Sequence, residues 1–359
     1  MPIAFQSRRL ANLWLLSLFC AALPTWAASN GAASGAAATT SNKNYDYYLS
    51  GSAGDATPPA ATSPMWVLMG GGNDVDSAFQ AMIAKAGGSA TQKVDVVVIR
   101  TSGADGYNPY LLAMPGVDSV ESFVIKNRTG ADDPALNAIV AKADVLFIAG
   151  GDQSTYIKLW KGSRLDSTLK ALRDRRVPFG GTSAGLAVLG DVDYSALNGS
   201  ITSAQALSNP YDRTLTLDTG FIVGLSGLDG TLMDSHLVAR DRMGRLATFL
   251  ARMIQDGLMP LGRARGIGVD EGTAVVVDNR IARVHGSSHA YFVLPTLAPT
   301  TVQAKKPLAF SSLRVEKLSA SSGSFDLGNW SSGTLQISPY FLSASGGSLT
   351  SSQSGGSAY

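Results

Sequence analysis

A repeated unit of buried strand run, glycine turn and amphipathic helix constrains this chain more than any other feature. Trp66-Val67-Leu68-Met69 runs into Gly70-Gly71-Gly72, after which Val75, Phe79, Met82 and Ile83 recur at helical spacing. Val94 to Ile99 and Val120 to Ile125 are further strand runs, and the helical stripe Leu136, Ile139, Val140 precedes Val145 to Ile148. Continuous β-branched runs alternating with helices predict an α/β fold: a mostly parallel sheet flanked by helices, with its working groups at the carboxyl ends of the strands. Beyond Asp278-Asn279, short strands and turns predict a β-rich C-terminal extension to about Leu342.

Arg8 and Arg9, the apolar stretch Leu10 to Leu23 and then Thr25-Trp26-Ala27 predict a secretory signal peptide over residues 1–27. The stretch is shorter than the ~20 residues that span a bilayer, so the expected product is exported, periplasmic or extracellular, with no membrane segment in its mature form. Cys20 is the single cysteine and leaves with that peptide. The mature chain then has no thiol, which excludes cysteine nucleophiles, disulfides and thiolate metal sites. Two arginines and no acid leave with it, turning 29 basic and 27 acidic residues into an even balance, and no nucleic-acid partner is indicated. Residues 28–63 read as a low-complexity linker in which Tyr45, Tyr47, Tyr48 and Leu49 could add an edge strand. Residues 64–342 read as one catalytic α/β domain, and 343–359 as a disordered Ser/Gly tail.

Three glycine turns fall at strand ends. Gly70 to Gly72 lacks the G-x-G-x-x-G spacing and no P-loop lysine follows, so a nucleotide cofactor is not expected. Gly150-Gly151 leaves the Gly151 N–H exposed, and Asp152 can cap the helix carrying Tyr156, Ile157 and Trp160. The third turn, Gly181-Thr182-Ser183-Ala184-Gly185 after the strand run Arg176 to Gly180, has the form of a nucleophile elbow; the alternative is an ordinary turn with a capping serine.

A serine nucleophile needs a base and a group to orient that base. Of the three histidines, His285 and His289 read as surface residues of a Gly/Ser turn, with no acid between them to suggest a metal pair. His236 closes the apolar run Thr231 to Ser235 and is the candidate base; the orienting acid is Glu271 or Asp270. Oxyanion donors would be the N–H groups of Ala184 and Gly151. The stripe Leu246, Phe249, Leu250, Met253, Ile254, extended toward its N-terminus, lands on Arg242 and Arg245. These either hold a substrate carboxylate or pair with acids such as Asp241.

Gly150-Gly151-Asp152-Gln153, Gly180 to Gly185, Asp234-Ser235-His236 with Arg240, Arg242, Gly244 and Arg245, and Gly266 to Ala274 together resemble cyanophycinase and its relatives, including the aspartyl dipeptidase E group. The resemblance implies a class I glutamine-amidotransferase-like, flavodoxin-like fold in which serine replaces cysteine. It implies catalytic roles for Ser183, His236 and Glu271, substrate contacts for Gln153, Asp234, Arg240, Arg242 and Arg245, and no metal or organic cofactor. Proteins that look like this cut the aspartate backbone of cyanophycin, multi-L-arginyl-poly-aspartate, and release β-aspartyl-arginine.

Ser235 stands where the resemblance expects glutamine, which puts the substrate in question more than the chemistry; it is counted with the substrate-binding set. The alternatives are a dipeptidase or isoaspartyl peptidase acting on short aspartyl peptides, and a non-catalytic secreted binding protein on the same fold. Exo or endo action, and a homodimer against a monomer, are left open.

Overall fold

The computed structural model describes residues 39–332 and 337–359; the expected signal peptide and the first part of the linker lie outside them. Five strands run parallel in the order Val117–Ile125, Val94–Arg100, Val145–Ile148, Phe179–Thr182, Met65–Met69. Alternate residues of these strands enter two different cores. Val67, Met69, Val96, Val98 and Phe147 pack with Phe79, Met82 and Ile83 of the helix Asp76–Lys85. Trp66, Leu68, Val97, Ile99, Leu146 and Ile148 pack on the opposite face, with Leu136, Ile157, Trp160, Leu165 and Leu169 from three other helices. A two-residue repeat that is apolar at every position therefore buries both faces. Each fully buried aliphatic side chain contributes about 1.5–3 kcal/mol to holding the layers together.

Tyr45–Gly51 pairs antiparallel with Val117–Ile125, and the two-residue strand Thr40–Ser41 pairs outside it, so the tyrosine segment is next to the edge and not the edge itself. The Tyr47 ring stacks on Phe123 at 4.8 Å and its hydroxyl donates to Glu121 at 2.6 Å. At the other side Thr273–Asp278 joins Met65–Met69 antiparallel and turns into Ile281–Gly286 through Asn279 and Arg280, both at positive φ. His285 thus lies on a strand and not in a turn, with Nδ1 3.0 Å from the Ser77 hydroxyl.

A second sheet carries the parallel pair Thr231–Ser235 and Arg265–Val269, followed by antiparallel Ala290–Pro295, Phe310–Leu318, Tyr340–Ser345 and Ser348–Ser351. The helix Met243–Gln255 covers it with Leu246, Phe249, Leu250 and Met253.

The β-rich region is therefore divided between the two sheets, and the disordered tail expected at 343–359 is corrected. Gly346 and Gly347, both at positive φ, close a hairpin whose strands pair Ser343 with Thr350. Beyond it Tyr340 donates to the Ala358 carbonyl at 2.8 Å, and the Tyr359 ring meets Tyr291 edge-on. Backbone pairing needs few apolar side chains, so Ser/Gly composition concealed a strand pair whose Gly-Gly turn is itself a hairpin signal.

Candidate active site

Ser183 sits between the end of the strand Phe179–Thr182 and the short helix Ala184–Ala187, at φ 53° and ψ −112°. This strained backbone is what an elbow demands, and the flanking glycines make it possible. A Cβ on Gly181 would stand 2.5 Å from Gly185, and one on Gly185 would stand 2.1 Å from the Ile148 carbonyl. The Ser183 side chain makes no capping bond, which sets aside the reading as an ordinary capping serine. Its Oγ lies 2.7 Å from His236 Nε2.

His236 follows the strand Thr231–Ser235 at φ 50°, and its backbone N–H donates to the Gly70 carbonyl at 2.8 Å. Its Nδ1 lies 2.5 Å from Glu271 Oε1. The choice between the two acids is settled by what surrounds Asp270. That carboxylate accepts the N–H groups of Val238 and Ala239, both at 3.1 Å, and the Ser288 hydroxyl at 2.8 Å. Asp270 thus holds the segment after His236 in place, while Glu271 faces the imidazole. The two acids occupy the crossing from the second sheet, Arg265–Val269, to the first, Thr273–Asp278, so the chain reaches His236 from across the gap between sheets.

Gly70, Gly71 and Gly72 lie against the candidate site, a placement that sequence reasoning missed. A Cβ on Gly71 would lie 2.3 Å from His236 Cε1, one on Gly72 3.0 Å from the Glu271 Cβ, and one on Gly70 2.0 Å from the Asp270 carbonyl. The turn is bare because the imidazole and its carboxylate rest on it. The signal was three successive glycines at a strand end with no nucleotide fingerprint to explain them.

Burial lowers the His236 imidazole from its usual 6.5 to about 4; the Glu271 hydrogen bond opposes the shift, and the Arg240 and Arg242 charges add to it. The base is therefore neutral at physiological pH, the form that can accept a proton. Gly151 is kept bare by Tyr156, whose hydroxyl, donating to the Ala149 carbonyl at 2.9 Å, would be 2.5 Å from a Cβ there. Among the described residues the N–H groups of Gly151 and Ala184 have no hydrogen-bond acceptor.

The arginines divide. Arg245 is 2% exposed and binds Asp234, also 2% exposed, in a two-pronged pair at 2.7 and 2.6 Å. Neither side chain is presented to a ligand, which corrects their expected role as substrate contacts: they form a neutral buried support, and the partner of Arg245 is Asp234 and not Asp241. Arg242 is bound through Nη1 to the Ser235 carbonyl at 2.9 Å, with the Ser235 hydroxyl at 3.5 Å. Burial lowers its guanidinium to about 10, so it keeps its charge at neutral pH. Arg240 reaches to 3.9 Å from Glu271 Oε1. Arg240 and Arg242 both lie near enough to His236 for their charges to act on its imidazole. Gln153 opens the helix after Gly151, capped as expected by Asp152, and donates to the Tyr194 carbonyl at 3.3 Å.

A serine, an imidazole and a carboxylate in hydrogen-bonded sequence at the carboxyl edge of a parallel sheet define the constellation of a serine hydrolase. Residues 117–285 match the model of peptidase family S51, and that span contains Ser183, His236 and Glu271. The chain is 25% identical over 272 residues to the cyanophycinase of Trichormus variabilis, covering 73% of this chain and 85% of the relative. It is 29% identical over 215 residues to that of Synechococcus elongatus, covering 57% and 59%. A solved peptidase from an acI-B1 actinobacterium aligns with 74% of this chain and 98% of its own, at 14% identity and TM-score 0.47. By its family-model and sequence matches the chain is similar to peptidase family S51 and to cyanophycinases, and it is a serine-type peptidase.

Proposed function

We propose that this peptidase hydrolyses the aspartate backbone of cyanophycin by an acyl-enzyme mechanism and releases β-aspartyl-arginine. The observation that carries the mechanism is the unbroken contact from Ser183 through His236 to Glu271. Ser183 Oγ attacks the scissile carbonyl as its proton passes to His236 Nε2, and Glu271 stabilises the resulting imidazolium through Nδ1–H. The tetrahedral oxyanion is met by the Ala184 and Gly151 N–H groups, each such donor contributing ~3 kcal/mol in the transition state. Nε2–H then protonates the departing amine, leaving an ester on Ser183. Water, deprotonated by the same nitrogen, releases the acid and restores the serine.

The aspartyl preference is supported by the Arg240 and Arg242 guanidinium groups near His236, donors suited to a carboxylate that an ordinary peptide does not place there. The signal-peptide pattern of residues 1–27 supports export, and no helix of the described residues is long and apolar enough to cross a membrane.

Incubation of the purified protein with cyanophycin, with products identified by mass, should yield β-aspartyl-arginine. Cleavage confined to short aspartyl or isoaspartyl dipeptides, with the polymer left intact, would replace this reading by the dipeptidase one.

The pH dependence follows from the imidazole. Neutral His236 is the active form and its proton binds only near pH 4, so kcat/KM should stay level as pH falls through 6.5 and be lost near 4. A half-maximal point at 6.5 would show that the histidine is not held as the structure holds it.

A further inference from the structure

We propose that Tyr359, the last residue of the sequence, is a positioning residue for the Arg240–Arg242 segment beside the catalytic centre, so that the C-terminal β region sets how the site engages an acidic substrate group. This rests on the reading of those arginines as the carboxylate-binding part of the site.

One hydroxyl carries the link. Tyr359 Oη donates to Asp241 Oδ1 at 2.7 Å and accepts the Met243 N–H at 3.0 Å, tying together the residues on either side of Arg242. The Met243 amide opens the helix Met243–Gln255 and has no acceptor within it, so a side chain more than a hundred positions away serves as its cap. Asp241 is at φ 46°, a conformation a non-glycine residue holds only when its surroundings enforce it. The enforcement comes from both sides: Ser203 Oγ donates to the Asp241 carbonyl, and Tyr359 takes the carboxylate. The backbone then closes on itself, with the Arg242 N–H donating to Leu237 and the Arg240 N–H to His236. Tyr359 is in turn set by its edge contact with Tyr291, and the chain leading to it by the bond from Tyr340 to Ala358. The tail thus reaches the arginine segment and leaves Ser183, His236 and Glu271 to other supports.

Tyr359→Phe keeps the ring and removes the two bonds. Loss of one or two hydrogen bonds that hold a binding loop should raise KM for an aspartyl substrate ~5- to 10-fold, with kcat within about twofold. The rate at which a small fluorophosphonate labels Ser183 should not change, because that probe needs no arginine. Hydrogen exchange of residues 238–243 should quicken, the Met243 amide most. Asp241→Ala should reproduce the KM effect, and the double variant should add little to either. An unchanged KM, or a labelling rate that falls in step with turnover, overturns the proposal, the second because it marks a general loss of structure. If the native protein is labelled by fluorophosphonate yet cleaves no aspartyl substrate, the substrate reading fails separately; quickened exchange at Met243 then upholds the positioning and unchanged exchange overturns it.

Discussion

Ser183→Ala should abolish peptide hydrolysis, lowering kcat by ~10⁴-fold or more with KM for the substrate nearly unchanged. The hydroxyl is the only atom removed, and the 2.7 Å contact to His236 Nε2 is its visible engagement. The proposed substrate contacts lie on other residues, so binding should survive. Fluorophosphonate labelling should vanish with the hydroxyl, which separates loss of the nucleophile from loss of fold. An alanine variant that kept a tenth of the native turnover would mean that the chemistry runs through another group.

Gly71→Ala is expected to be the most damaging change that leaves Ser183, His236 and Glu271 unsubstituted. An alanine Cβ would stand 2.3–2.4 Å from His236 Cε1 and Nε2, at a backbone φ of 92° that L residues avoid. Ordinary contact requires the imidazole to retreat by about an ångström, and a displacement of that size at a reacting group lowers turnover by ~10²-fold. The drop should appear in kcat, with a fall in melting temperature from the strained φ. Gly106→Ala is the control: that glycine opens the helix Tyr107–Leu112 at φ −54° with nothing near its Cβ position, and its replacement should leave activity as it was. Full activity in the Gly71 variant would show that the imidazole is not seated on this turn.

These two residues differ in how far they can be read from the chain. Ser183 announces itself, because a serine between glycines after a strand run is a local pattern with a local cause in the close packing of Gly181 on Gly185. His236 and the acid pair are also local, each placed by the apolar strand before it. Gly71 has no such cause in its own neighbourhood. Its constraint comes from a ring 165 positions away, brought over it when the His236 N–H pairs with the Gly70 carbonyl.

The same distinction explains the corrections. The helical stripe from Leu246 to Ile254 correctly places Arg242 and Arg245 on its inward continuation, yet it carries no record of what they meet. Arg245 meets Asp234 from the neighbouring strand in a two-pronged pair; Arg242 meets the Ser235 carbonyl and lies 3.7 Å from the same carboxylate. Ser343 to Tyr359 looked structureless because hairpins are held by backbone pairing, which serine and glycine supply as well as valine does. Its anchor, Tyr359, finds partners only after the second sheet has formed.

By itself the sequence determined the parallel sheet, its two buried faces, the elbow and the candidate base, because each follows from periodicity or from steric demands within a few residues. Residue spacing left Asp270 and Glu271 open and the resemblance pointed to Glu271; only the tertiary structure shows Glu271 against the imidazole and Asp270 bound elsewhere. It also divided the arginines and turned a glycine run and a serine-rich tail into parts of the site. Those outcomes depend on distances across and between two sheets, and side-chain spacing along one chain does not encode them.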